Sequence, residues 1–111
     1  MAIGYVMTRC SALYTVFVKM LEVETDPERQ NVKVQYFNTA ERFMGLAAQM
    51  MMHGATIDLK DALSQTRTQV VSLGNIYIDR ISEAKLRTNN MFDDPVIAGD
   101  FTVCKELLNK M

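Results

Sequence analysis

The sequence predicts an all-α protein: an antiparallel up-and-down bundle of about four helices, in which the second and third form a long central hairpin. Apolar residues recur at spacings of three and four along nearly the whole chain, which is the period of an amphipathic helix. The connections between these periodic segments are short, which favours antiparallel neighbours. The chain also has only five glycines and two prolines, too few for the turns of a β-sandwich or barrel.

Length and composition place the chain among small globular domains. It has 111 residues, of which 49% are hydrophobic and 23% charged. We therefore expect residues 1–111 to form a single domain with enough apolar surface for a core. The formal net charge is −1, which lacks the basic excess that favours binding to phosphate backbones.

The first helix is predicted over about residues 3–23. Its apolar positions follow one helical face: Ile3, Val6, Cys10, Leu13, Phe17 and Met20. Arg9 and Lys19 interrupt the apolar run, and a charge near the middle of a bilayer is costly. A membrane span or a cleaved signal peptide is therefore not expected, and the sequence predicts a cytoplasmic protein, with a secreted protein that keeps an uncleaved signal as the alternative.

The second helix is predicted over about residues 27–53. Asp26 is a favourable N-cap and Pro27 suits the first helical position. The stretch 32–37 alternates like a strand, but the cap before it and the helical period after it favour one long helix. Gly54 is expected to end this helix in the left-handed conformation.

The third helix is predicted over about residues 57–87 and the fourth over about 96–110. Thr56 is expected to cap the third helix. Gly74-Asn75 could break it, but no proline enforces a break, so we expect a continuous helix about 45 Å long. Asn and Asp residues predict a turn over 88–95 before the fourth helix.

The two cysteines allow two interpretations. Cys10 and Cys104 each fall on an apolar helical face, where a free thiol behaves as a small buried hydrophobe. The alternative is one disulfide that closes a loop of nearly the whole chain. We expect buried free thiols, which are the rule in a reducing cytosol.

The sequence offers little for catalysis or for metal and cofactor binding. His53 is the only histidine, and at the end of a helix it is expected to interact with the helix dipole. The metal-binding patterns C-x-x-C, H-E-x-x-H and E-x-x-H are absent, as are the glycine-rich phosphate loops. We therefore expect no enzyme activity, no cofactor and no metal, and we identify no small-molecule substrate.

Methionine is the compositional oddity and supplies the main functional hypothesis. Nine methionines occur in 111 residues, and this flexible side chain is common on surfaces that adapt to partners. Three consecutive methionines cannot all face one core. The long second and third helices also leave apolar surface that a second copy or a partner would cover. The candidate partner-binding residues are Phe37, Met44, Met50, Met51 and Met52.

We therefore expect a non-enzymatic protein–protein interaction module, a small chaperone, adaptor or inhibitor-type regulator that self-associates as a homodimer. A partner would bind the apolar, methionine-rich face of the hairpin. The alternative is a nucleic-acid-associated regulator that uses the basic residues Arg80, Lys85 and Arg87 at the end of the third helix.

Overall fold

The computed structural model describes residues 3–22, 25–53 and 56–111, and it confirms the predicted all-α bundle. No strand occurs among these residues. A short 3-10 helix, which the sequence analysis did not predict, precedes the last α-helix. The elements are α1 (Ile3–Met20), α2 (Pro27–His53), α3 (Leu59–Thr88), the 3-10 turn (Met91–Asp93) and α4 (Pro95–Lys110).

The start of α2 follows the predicted capping chemistry. The Asp26 carboxylate accepts a hydrogen bond from the Glu28 N–H at 3.0 Å, which satisfies one of the free donors at a helix start. Residues 32–37 are helical, so the strand alternative is wrong. Helix α1 ends at Met20, three residues earlier than predicted. The predicted cap at Gly54 lies outside the described residues.

The start of α3 corrects one prediction. Asp58, rather than Thr56, is its N-cap, and the Asp58 carboxylate accepts from the Asp61 N–H at 2.8 Å. The helix then runs without a break through Gly74 and the residue after it, as predicted. It ends where Asn89 takes the left-handed conformation with φ 62°, which is less costly for asparagine than for most residues.

Helix α1 lies at the centre of the bundle and packs against the other three helices. Half of it, nine of eighteen residues, is buried. It runs antiparallel to α2, because Gly4 lies beside Met50 at one end while Phe17 stacks near Tyr36 at the other. The predicted hairpin of α2 and α3 is present, and its helices contact each other, but the most buried helix is α1.

The prediction of free thiols is wrong, because Cys10 and Cys104 form a disulfide. Both residues are buried, as expected. The apolar faces that carry them pack together, which brings their Cα atoms to 5.5 Å, within the range that a disulfide needs. The bond therefore joins α1 to α4 across 94 residues of sequence.

The long helices set the size of the molecule. At 1.5 Å per residue, α3 is about 45 Å long, which matches the longest dimension of the structure, 45 Å. Apolar side chains near both of its ends are uncovered: Leu59 is 48% exposed and Leu86 is 90% exposed. Among the described residues, no helix combines the length and the apolar character needed to span a bilayer.

Candidate partner-binding groove

A groove of about 540 Å³ opens where the start of α1 meets the end of α2. Its lining is mostly apolar and includes two of the predicted methionines. The polar members are a buried threonine, an exposed histidine and an exposed glutamine. The lining residues are Ile3, Gly4, Tyr5, Thr8, Ala47, Met50, Met51, His53 and Gln69.

Small residues allow the two helices to approach each other under the groove. A Cβ atom on Gly4 would lie 3.4 Å from the Cβ of Met50, so the backbone of α1 passes close to α2 here. Ala47, one turn before Met51, is 3% exposed, and its small side chain allows α1 and α2 to lie close together. The larger side chains of Met50 and Met51 therefore stand around the opening rather than filling it.

The three consecutive methionines have different surroundings. Met50 is 36% exposed and Met51 is half-buried, and both line the groove. Met52 is also half-buried, but it lines a separate cavity of about 290 Å³ with Gln49 and His53. The difference follows from helix geometry, since successive side chains point about 100° apart.

The other two predicted partner-binding residues do not belong to this groove. Met44 is 6% exposed and lies in the core, so it offers no surface in the folded protein. Phe37 is 51% exposed, but it lies about 20 Å along the axis of α2 from Met50. Val34, one turn earlier on α2, is also exposed.

A polar cluster beside the groove was not found by sequence reasoning, which treated Arg9 only as a charge off the apolar face. The Arg9 Nε donates to the Tyr77 hydroxyl at 3.2 Å, and that hydroxyl donates to the Asp100 carboxylate at 2.6 Å. Arg9 also forms an ion pair with Asp100, and its guanidinium lies 5.7 Å from the ring centroid of Tyr5. The cluster thus joins α1, α3 and α4.

The environment of this cluster shifts two pKa values. Burial, reinforced by the hydrogen bond to Asp100, raises the pKa of Tyr77 above its ordinary value of 10.0. The hydrogen bond to Tyr77 is the main cause that raises the pKa of Arg9, with burial acting in the opposite direction and Asp100 adding to the rise. Tyr77 is therefore neutral and Arg9 charged at neutral pH.

A second ion pair fixes the start of α4. The Asp94 carboxylate accepts from the Arg80 Nε at 3.1 Å and caps the helix by accepting from the N–H groups of Val96 at 2.9 Å and Ile97 at 3.1 Å. Burial alone would raise the pKa of Asp94, but these hydrogen bonds together outweigh it and lower that pKa.

The residues of the predicted nucleic-acid site do not form one surface. Arg80 is paired with Asp94, whereas Lys85 and Arg87 are exposed. On a helix, Lys85 lies about 140° around the axis from Arg80, so the two point in different directions. By the same geometry Arg87 lies about 20° from Arg80, so the three cations divide into Arg80 and Arg87 on one face of α3 and Lys85 on another.

His53 is the last residue of α2, as predicted, and it is exposed between the groove and the smaller cavity. Within the described ranges, no group of three or more His, Cys, Asp or Glu side chains is arranged to hold a metal ion. Comparison with protein-family models, with curated proteins and with solved structures found no match for this chain.

Proposed function

We propose that the protein is a small, non-enzymatic interaction module whose groove between α1 and α2 binds the apolar face of an amphipathic helix from a partner protein. The observation that supports this most directly is the groove itself, about 540 Å³ in volume. It lies open on the surface and carries Met50 and Met51 at its edge.

The chemistry of the groove favours an apolar helix as the occupant. No lysine, arginine, aspartate or glutamate lines the groove, so a highly charged segment would lose hydration there with little compensation from ion pairs. Helices α1 and α2 form most of the walls, with Gln69 of α3 at one side. A further helix can pack along them with apolar residues at spacings of three and four. Methionine side chains can adjust to the shape of such a partner.

The disulfide is relevant to the cellular compartment in which the protein functions. Disulfides form and persist mainly in oxidising compartments, so the bond between Cys10 and Cys104 does not favour the cytoplasmic location expected from the sequence. We therefore assign no compartment to the protein. In the predicted homodimer, the helix that fills the groove would come from a second copy.

A photo-crosslinking experiment tests the proposal. A benzophenone amino acid replaces Met51 in the groove or, as a matched control on the same helix, Phe37 on the distant surface. Each protein is illuminated alone and with extract of the native cells. We expect a discrete product only with the probe at position 51, and mass spectrometry would then identify the crosslinked segment.

Substitutions then test the chemistry of the contact. The double variant Met50→Gln/Met51→Gln keeps the length of both side chains but makes the groove polar, whereas Met52→Gln makes the same change in the separate cavity. We expect the double variant to weaken binding of the identified segment by at least about tenfold, or about 1.4 kcal/mol, with little effect from Met52→Gln.

The outcomes separate the possibilities. A crosslink to this chain itself, together with a dimer by light scattering, would make the occupant a second copy. Equal crosslinking from positions 51 and 37, or equal affinity of the double variant and Met52→Gln, would contradict the groove as the binding site.

A further inference from the structure

Helix α4 is attached to the bundle by few buried groups. Only Ile97 and Cys104 are buried among its sixteen residues. Its polar attachment depends on one carboxylate, Asp100, which pairs with Arg9 and accepts a hydrogen bond from the Tyr77 hydroxyl. The Phe101 ring contacts Tyr14 and Phe17 of α1 but is itself only half-buried.

The disulfide is the one covalent link between α4 and the central helix in the described residues, and both of its cysteines, although buried, line a cavity. A space of about 210 Å³ is lined by both cysteines and by charged and apolar neighbours on α1 and α4. Val103, on its α4 side, is 45% exposed. The lining residues are Val6, Arg9, Cys10, Asp100, Val103 and Cys104.

The other three helices contact one another directly. The Ser11 hydroxyl donates to the Ala40 carbonyl at 2.8 Å, and Tyr14 stacks on Phe43, which is fully buried. Gly74 of α3 lies against Val16, with a position for a Cβ 3.7 Å from its side chain. These contacts join α1 to α2 and α3 and involve no atom of α4.

From this asymmetry we propose that the Cys10–Cys104 disulfide is a redox-controlled attachment, and that its reduction releases α4 while α1, α2 and α3 stay folded. The thiolate of a dithiol reductant attacks one sulfur and forms a mixed disulfide, and the other cysteine leaves as a thiolate that takes a proton from water. The second thiol of the reductant then displaces the remaining cysteine. The reductant becomes a disulfide and the protein gains two thiols.

Release of α4 changes the surface of the central helix. The aromatic face of α1 that contacts Phe101, namely Tyr14 and Phe17, loses this cover. At the same time Arg9 loses Asp100 and keeps its hydrogen bond to Tyr77. The reduced form therefore presents an apolar surface and an unpaired cation that the oxidised form covers. This inference does not depend on what occupies the groove.

Hydrogen exchange with mass spectrometry on the intact chain tests the inference. The protein is measured oxidised and after reduction with dithiothreitol, and local exchange rates report which helices open. We expect exchange in α4 to rise by at least about tenfold on reduction, while α1, α2 and α3 change much less. The variant Cys10→Ser/Cys104→Ser should match the reduced protein and should not respond to dithiothreitol.

Two results would overturn the inference. If α4 stays as protected in the reduced protein as in the oxidised one, its other contacts suffice to hold it. If all four helices lose protection together, the disulfide supports the whole fold rather than the attachment of one helix. Reoxidation that restores protection in α4 alone would support the inference.

Limited trypsin digestion gives a second measurement on the same protein. Lys105 lies in α4, while Arg87 is an exposed site in α3 that serves as the internal control. We expect reduction to speed cleavage after Lys105 by at least about tenfold relative to cleavage after Arg87. A constant ratio of the two rates would contradict the release of α4.

Discussion

Helices α1 and α4 have similar lengths, eighteen and sixteen residues, and are joined by a disulfide, yet their positions in the protein differ. Half of α1 is buried, whereas α4 buries only Ile97 and Cys104. Helix α1 has three α-helical neighbours, while α4 contacts two, α1 and α3, together with the short 3-10 helix. The apolar pattern of a helix therefore indicates which face turns inward, but the number of neighbours determines how much of the helix is covered.

The largest expected difference between the two helices is in their response to loss of an apolar side chain. Leu13 of α1 is fully buried, and Leu13→Ala is expected to lower the free energy of unfolding by about 3 kcal/mol because it leaves a cavity. Leu107 of α4 is half-buried, so Leu107→Ala should cost less than about 1 kcal/mol. Urea unfolding of the oxidised proteins measures both, and similar losses would show that α4 belongs to the same core as α1.

A smaller effect is expected at the start of α4. Asp94→Ala removes the helix cap and the partner of Arg80, and should lower the free energy of unfolding by about 1–2 kcal/mol. The neighbouring variant Asp93→Ala removes an exposed carboxylate and should stay within about 0.5 kcal/mol. Equal losses in the two variants would contradict the role of Asp94 as the cap.

The lowered pKa of Asp94 predicts that the folded protein loses stability at acid pH. Its pKa is lowered in the folded protein from the ordinary value of 3.8, so its ionised form stabilises the fold above that pH. This contribution is lost as the pH falls below 3.8 towards the folded-state value. Asp94→Ala should unfold with a shallower pH dependence in that range, and an unchanged slope would assign the acid sensitivity to other carboxylates.

The polar cluster that joins α1 and α4 through Tyr77 should contribute least to the free energy of unfolding. Tyr77→Phe removes a hydroxyl that donates to Asp100 and accepts from Arg9, and should cost about 1 kcal/mol. The raised pKa of Tyr77 keeps it neutral in the folded protein, so stability should fall as the pH rises above 10.0. Tyr77→Phe should reduce that fall more than Tyr5→Phe, and equal effects would place the alkaline sensitivity elsewhere.

Local signals in the sequence predicted the helices well, because capping and periodicity act within a few residues. Asp26 and Pro27 mark the start of α2, and the period identifies residues 32–37 as helix despite their alternation. The error at Thr56 is also local, since both Thr56 and Asp58 can cap a helix and only the path of the chain decides between them.

Long-range contacts could not be predicted from spacing. The partners of Arg9 lie 68 and 91 residues away in sequence, and the disulfide depends on how α1 and α4 pack. Met50 and Met51 line the groove, and their role in partner binding stays a prediction. The burial of Met44 was not predicted, because it depends on which face of α2 meets α1, a contact that the periodicity of α2 alone does not determine.

The disulfide also changes how the protein responds to a cut in its backbone. Residues 10 and 104 are covalently joined, so the chain between them forms a closed ring. One protease cut in an exposed segment such as 25–26 would leave both pieces connected, and the oxidised molecule would gain only the mass of one water. Under oxidising conditions the protein can therefore persist as a nicked, two-chain form whose fragments separate only after reduction.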